Sequence, residues 1–215
     1  MLPKLVIFDV DGTLLDTEAR WKEAWGAIGN QYNAPELGMD LFYKLIGKSG
    51  KEELLFIENY LNERNLPISI LSEATAYGLQ LLNEHIDVKP GVFEFLNHLK
   101  SLKIPMGVAT ATNRDATIER LTRCGLIDYF DYILCGDQVT KRKPHPETYL
   151  KVLDYFDIDP KETLVLEDSL VGVEAAYRAG TACIMIPDLI APTQKQIEQT
   201  IAIVKTMHEV IPMIG

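Results

Sequence analysis

Short apolar runs rich in β-branched residues recur along the chain, and each stops at a small or polar residue. Leu5-Val6-Ile7-Phe8 stops at Asp9, Ile104 to Ala109 at Thr110, Thr163 to Leu166 at Glu167-Asp168, and Ala182 to Ile186 at Pro187. Tyr132 to Cys135 opens into a loop from Gly136 to Pro146. Runs of this length bounded by turn residues predict strands buried on both faces. Between them the apolar positions take helical spacing. Val92 to Leu102 places Phe93, Leu96 and Leu99 on one face, and Asn113 caps a helix to about Cys124 that Gly125 stops. Glu147 to Phe156 is helical, and Ser169 caps a helix that Gly180 closes. A final amphipathic helix is predicted from Thr193 to about His208, with Ile197, Ile201 and Val204 on its stripe. Strand and helix alternate, which predicts α/β architecture: a parallel sheet with helices on both faces.

The alternation is interrupted once, from Glu18 to about Ile86, where strand signal nearly vanishes. Glu18 to Tyr32 carries Trp21, Trp25 and Ile28 at helical spacing, and Met39 to Ile46 is a short helical piece. Lys51 to Asn65 sets Leu54, Leu55, Glu58, Leu61 and Asn62 in a helical pattern before Pro67, and Ile70 to Ile86 sets Leu71, Ala74, Leu81 and Leu82 on one side. The reading is a small helical bundle, residues 17–86, inserted into an α/β domain made of residues 1–16 and 87–215. Trp21 and Trp25 could form a ligand-facing stripe, but this spacing suits the core of the bundle better.

The polar residues at the strand ends carry the candidate chemistry. In Asp9-Val10-Asp11-Gly12-Thr13 two carboxylates stand two residues apart. On a strand such positions point the same way, so the pair repels unless a hard divalent cation sits between them. Thr110 is expected to expose its hydroxyl where a strand gives way to a helix N-terminus, which suits a phosphate. In Lys141-Arg142-Lys143-Pro144-His145-Pro146 the prolines are expected to hold an extended backbone and so aim a lysine, with His145 as loop structure. Glu167 and Asp168 form a second acidic pair. Singly each has a plain explanation: a turn, a strand end, a solvated loop, a helix cap. Together in one α/β domain they make an acidic cradle with one lysine and one hydroxyl, suited to a phosphate ester and Mg²⁺.

Composition narrows the field. A net charge of −10 from 31 acidic and 21 basic residues argues against a duplex-binding face or a polybasic membrane contact. Cys124, Cys135 and Cys183 fit no disulfide framework, no signal peptide precedes Leu5, and no apolar run has the length of a membrane span, so a cytoplasmic location is expected.

The order of these residues resembles the haloacid dehalogenase superfamily. Its four motifs match Asp9-Val10-Asp11-Gly12-Thr13, Thr110, Lys143-Pro144 and Glu167-Asp168-Ser169 with Gly172. The branch most resembled is the β-phosphoglucomutase-like phosphatases. The resemblance implies a Rossmann-like core, a mobile helical cap and Mg²⁺-dependent phosphoryl transfer through an aspartyl phosphate. Carried over, Asp9 is the nucleophile, ionised at neutral pH by its ordinary pKa. Asp11 is the acid and base for the leaving alkoxide and the attacking water. Asp9, the Asp11 carbonyl, Asp168 and Glu167 are candidates for the metal, and Thr110, the Ala111 N–H and Lys143 for the phosphate. Mutases of this type carry a cap histidine where Trp21 stands and a cap arginine that Gly47-Lys48-Ser49-Gly50 lacks. Hydrolysis of a small phosphorylated metabolite is therefore expected. The alternatives are a β-phosphoglucomutase-type mutase and a non-catalytic phosphate- or metal-binding module.

Overall fold

A computed structural model describes residues 2–46 and 51–214. In chain order its regular elements are β1 (Leu5–Phe8), α1 (Thr17–Gln31), α2 (Phe42–Leu45), α3 (Lys51–Asn62), α4 (Ser69–Glu84), α5 (Val92–Ser101), β2 (Met106–Ala109), α6 (Arg114–Arg123), β3 (Tyr132–Leu134), α7 (Glu147–Phe156), β4 (Thr163–Glu167), α8 (Leu170–Ala179), β5 (Ala182–Met185), α9 (Gln194–Gln199) and β6 (Ala202–Ile203). They fall into two compact units, residues 1–16 with 87–215 and residues 17–86.

The first unit is a parallel sheet in the order β3-β2-β1-β4-β5-β6. β1 is central, with Ile7 paired to Gly107 on one side and to Val165 on the other. All four β1 residues are fully buried, which accounts for a run with no polar alternation. One face carries Ile7, Ala109, Val165 and Cys183 against Tyr149, Val152, Val173 and Ala176 of α7 and α8. On the other, Phe8 meets Phe95 and Phe130 edge-on at 5.9 and 5.8 Å. The chain order reverses on either side of β1, and ligand crevices in such sheets open at the carboxyl ends of the strands there.

The long C-terminal helix does not form. α9 stops at Gln199, and Thr200-Ile201-Ala202-Ile203-Val204 instead adds β6 to the sheet edge. Ile201 N–H donates to Cys183 C=O and Val204 N–H to Met185 C=O, at 2.9 and 3.0 Å. A run dominated by β-branched residues beside an open edge favours the ladder over a helix.

In the second unit α1 and α4 bury Ala24, Trp25 and Ile28 with Ile70, Ala74, Leu81 and Leu82. Trp25 is core, whereas Trp21 is half-buried, with its ring across the Gly78 backbone. Both tryptophans, with Phe42, Leu45, Ile57 and Leu71, line a cavity of about 390 Å³. α3 turns Ile57, Tyr60 and Leu61 inward and leaves Leu54 and Leu55 exposed, the reverse of the expected face for those two leucines. Gly47 to Gly50, the loop weighed against the mutases, lies outside the described residues. Among the described residues no helix is long and apolar enough to cross a membrane.

Candidate active site

Past β1 the backbone stays beside β4, with Asp9 N–H donating to Leu166 C=O at 3.1 Å. Lys143 enters from the loop before α7. Its ammonium donates to Asp9 Oδ1 at 2.7 Å, Glu167 Oε1 at 2.7 Å and Ala109 C=O at 3.0 Å. These use all three of its protons and tie it to the ends of β1, β4 and β2. The Tyr149 ring lies beneath it, 4.9 Å from the ammonium. The loop is not extended as the prolines suggested. His145 N–H donates to Arg142 C=O at 2.9 Å, closing a tight turn around a cis Lys143–Pro144 bond. Two residues hold that turn to α7: His145 Nδ1 accepts from Glu147 N–H, and the Glu147 carboxylate accepts from Thr140 N–H and Lys141 N–H at 2.9 Å each. His145 is thus a structural loop residue, and the bond from Thr140 N–H, followed by that from the Lys151 ammonium, holds the Glu147 carboxyl down at about 2.

Glu167 is fully buried and saturated. Oε1 accepts from Lys143 and from Tyr149 Oη at 3.0 Å, and Oε2 from Ser169 N–H at 2.8 Å and Ser169 Oγ at 2.9 Å. A carboxylate offers about four lone-pair positions, and protein donors occupy all four here. Glu167 is the buried counter-charge that aims Lys143, and a bond to a cation would have to displace one of these donors. Gly172 makes the pocket for the Glu167 side chain, since a Cβ there would stand 1.7 Å from Oε1.

Asp168 lies against the loop after β1. Thr13 Oγ1 donates to its Oδ1 at 3.0 Å, and a Cβ on Gly12, at φ +87°, would come within 2.4 Å of Oδ2. Asp9 and Asp168 are 7% and 9% exposed, so both are nearly removed from water. Among the described residues no three acidic, histidine or cysteine side chains converge as a closed metal cage. One or two carboxylates with open positions is the donor set Mg²⁺ takes when water and a phosphate complete its shell.

Asp11 does not share the orientation of Asp9. β1 ends at Phe8, and the next residues turn back, with Leu14 N–H and Leu15 N–H both donating to Val10 C=O. The two-residue strand rule therefore fails here. The Asp11 carboxylate reaches the segment after β2: Oδ2 accepts from Thr112 Oγ1 at 2.7 Å and lies 3.5 Å from Thr110 Oγ1, and Oδ1 accepts from Arg120 of α6 at 3.1 Å. Thr110 is 1% exposed rather than open to solvent, because Thr112 N–H donates to its hydroxyl at 3.1 Å and folds the segment over it. Ala111, between them, is exposed. Tyr149, Thr112, Arg120 and Glu147 thus belong to the surroundings of the site without having been singled out in the sequence, while Ser169 caps α8 as expected and also donates to Glu167.

One ammonium stands between two buried carboxylates, leaving the cluster short of positive charge. Burial pushes Asp9 up to about 8; Lys143 pulls it down, and Glu167 and Asp11 push it further up. Burial also opposes the charge on Lys143, but Asp9 and Glu167 outweigh it and hold the ammonium protonated. Burial thus works against ionisation of Asp9 in the cation-free site, and a cation beside it would supply the missing charge.

A lysine-clamped carboxylate at the switch point of a parallel sheet, beside a second carboxylate and a buried hydroxyl, is the arrangement of a phosphate-transferring hydrolase. The haloacid dehalogenase-like hydrolase family model matches residues 6–186, and the chain belongs to that family. It is 37% identical over 175 residues to the phosphorylated carbohydrates phosphatase of Thermotoga maritima, covering 81% of each chain. To validoxylamine A 7'-phosphate phosphatase of Streptomyces hygroscopicus it is 28% identical over 186 residues, covering 84% of each. The solved structure of CbbY from Rhodobacter sphaeroides in complex with phosphate matches with a TM-score of 0.74 at 28% identity, over 97% of this chain and 96% of that one. The chain is a phosphatase of the aspartyl-phosphate type, and enzymes of its family generally use Mg²⁺.

Proposed function

We propose that the substrate is a small phosphorylated metabolite, with sugar phosphates as the leading class, and that Asp9 is the phosphoryl acceptor. The observation that carries this reading is the Lys143 clamp, which fixes Asp9 Oδ1 at 2.7 Å and leaves the rest of that carboxylate to a cation and a phosphorus atom. Asp9, Asp168 and the Asp11 main-chain carbonyl would hold Mg²⁺. When bound, the ion would neutralise charge on the phosphoryl group and screen its approach to a carboxylate. Lys143 adds a second positive charge on the same side, and Thr110 Oγ1 with Ala111 N–H would hold phosphate oxygens. Asp11 would give a proton to the departing alkoxide and take one from the attacking water. The helical unit, residues 17–86, would act as the cap that limits water and reads the leaving group. In sequence Trp21 stands at the position of the mutases' cap histidine, and an indole cannot handle a proton as an imidazole does, which supports water as the acceptor.

The test is phosphate release from p-nitrophenyl phosphate and a panel of sugar phosphates in Mg²⁺, with sugar products analysed in parallel. Release that EDTA abolishes and Asp9→Asn does not restore is expected. Chelator-independent release, or isomerised sugar phosphate forming faster than free phosphate, would overturn the reading.

A further inference from the structure

We infer that Glu147 is a positioning residue for Lys143, fixing the loop that delivers the lysine to the site. The inference rests on the proposed action of Lys143 on the phosphoryl group. The Lys143 side chain is 6% exposed, yet Thr140, Lys141 and Arg142, which lead up to it, are all exposed. Packing therefore does little to hold the approach to the lysine. Glu147 supplies the hold. Its Oε1 accepts from Thr140 N–H and its Oε2 from Lys141 N–H, at 2.9 Å each, and Thr140 Oγ1 lies 3.1 and 2.9 Å from the two oxygens. On the far side of Lys143, Glu147 N–H donates to His145 Nδ1 at 3.2 Å. One residue thus grips the loop both before and after the lysine. Glu147 opens α7, whose Tyr149, Val152 and Leu153 are buried in the core, so the grip starts from a rigid base.

Lysine carries its charge on a flexible four-carbon stem. The bonds from Lys143 to Asp9, Glu167 and Ala109 C=O aim the ammonium only while its backbone stays within reach. As the proposed acceptor Asp9 takes on a phosphoryl group, it loses its charge and with it much of its pull on the ammonium. The loop must then keep Lys143 in place. Glu147 does this without touching Asp9 or any reacting atom. Its two backbone partners belong to exposed residues, so water can take over an N–H that the carboxylate gives up. Neutralising Glu147 therefore costs little stability but loosens the lysine. Lys151 offers a control: it donates to Glu147 Oε1 at 3.0 Å and to Gln138 C=O at 2.8 Å, and holds neither Thr140 N–H nor Lys141 N–H.

The experiment uses the full chain in Mg²⁺ with p-nitrophenyl phosphate. Wild type is compared with Glu147→Gln, Lys151→Met, Lys143→Met and the double variant of Glu147→Gln with Lys143→Met, and amide hydrogen exchange is followed by NMR. Glu147→Gln is expected to lower kcat by about tenfold to 10²-fold, the cost of a reacting group set about 1 Å out of place. KM stays within about threefold, Tm stays within about 2 °C, and exchange quickens at Thr140 N–H or Lys141 N–H. Lys143→Met lowers kcat by about 10²-fold or more. Adding Glu147→Gln to it costs less than about twofold further, because no lysine is left to aim. Lys151→Met keeps kcat within about twofold. The same loss from Glu147→Gln with and without Lys143, no loss at all, or an equal loss from Lys151→Met would overturn the role of Glu147 while leaving that of Lys143 intact. Full turnover by Lys143→Met would overturn the action of the lysine on the phosphoryl group, and the role of Glu147 with it. Should Glu147→Gln fail to fold by circular dichroism, Glu147→Asp, whose carboxylate falls one methylene short of the loop, carries the same comparison.

Discussion

Replacing Glu167 by glutamine keeps its size and removes its charge, and the geometry sets the expected cost. Four donors converge on this side chain: Lys143, Tyr149 Oη, Ser169 N–H and Ser169 Oγ. The hydroxyls can turn to accept, but the ammonium and the backbone N–H cannot. A glutamine offers one oxygen and one NH₂, so one of these two fixed donors must face the NH₂. Lys143 keeps its bonds to Asp9 Oδ1 at 2.7 Å and Ala109 C=O at 3.0 Å. The loss is at least one stranded buried donor, worth about 2 kcal/mol. For a chain of this size that lowers Tm by roughly 4–8 °C. The assay is scanning calorimetry of wild type and Glu167→Gln in EDTA, so that cation binding does not enter. A Tm unchanged within about 1 °C, or raised, would refute the claim that Glu167 is a saturated internal acceptor.

Asp168→Asn should behave in the opposite way: the amide oxygen still accepts from Thr13, so Tm in EDTA stays within about 2 °C, but stabilisation by Mg²⁺ and turnover are lost; a normal Mg²⁺ response in thermal melts would contradict this. Gly172→Ala drives Glu167 out of its pocket and should destabilise, and the double variant with Glu167→Ala should cost less than the sum of the two single changes in urea melts. The pH dependence follows from Asp9. Its folded pKa of about 8 lies above the ordinary 3.8. The metal-free folded state therefore keeps a proton that the unfolded chain has released. The stability this confers is complete below about pH 4 and lost as pH rises to about 8. Mg²⁺ must displace that proton, so its apparent affinity should fall about tenfold per pH unit below 8. Titration by calorimetry at pH 6 and pH 8 checks this, and equal affinities at the two would refute it.

The strand ends were legible because buried strands of a parallel sheet leave a plain mark, an apolar run broken by Asp9, Thr110 or Glu167. The saturation of Glu167 was not, because Tyr149 reads as one more apolar position of α7 and only the fold sets its hydroxyl 3.0 Å from a carboxylate. Arg120 was hidden for a similar reason: it lies among the exposed charges of α6, and nothing local marks it as the buried one. Thr112 was within reach, since a second hydroxyl two residues beyond Thr110 is visible in the sequence. The phase of two helices was misread where apolar residues were too many to choose between. In α5, Phe95 joins Leu96 and Leu99 inside, while Phe93 turns out to meet the Tyr129 ring at 6.4 Å. The edge strand β6 was lost because Ile197, Ile201 and Val204 satisfy a helical period while the β-branched run around them satisfies an extended one.

The most direct test of the account is the fate of the phosphoryl group. The enzyme would be mixed with excess p-nitrophenyl phosphate and Mg²⁺, quenched in acid within a turnover, digested, and its peptides sequenced by mass spectrometry. A single added phosphoryl group is expected on Asp9, absent from Asp9→Asn and from samples quenched without Mg²⁺. Turnover with no phosphorylated peptide, or with the group on any other residue, would contradict it.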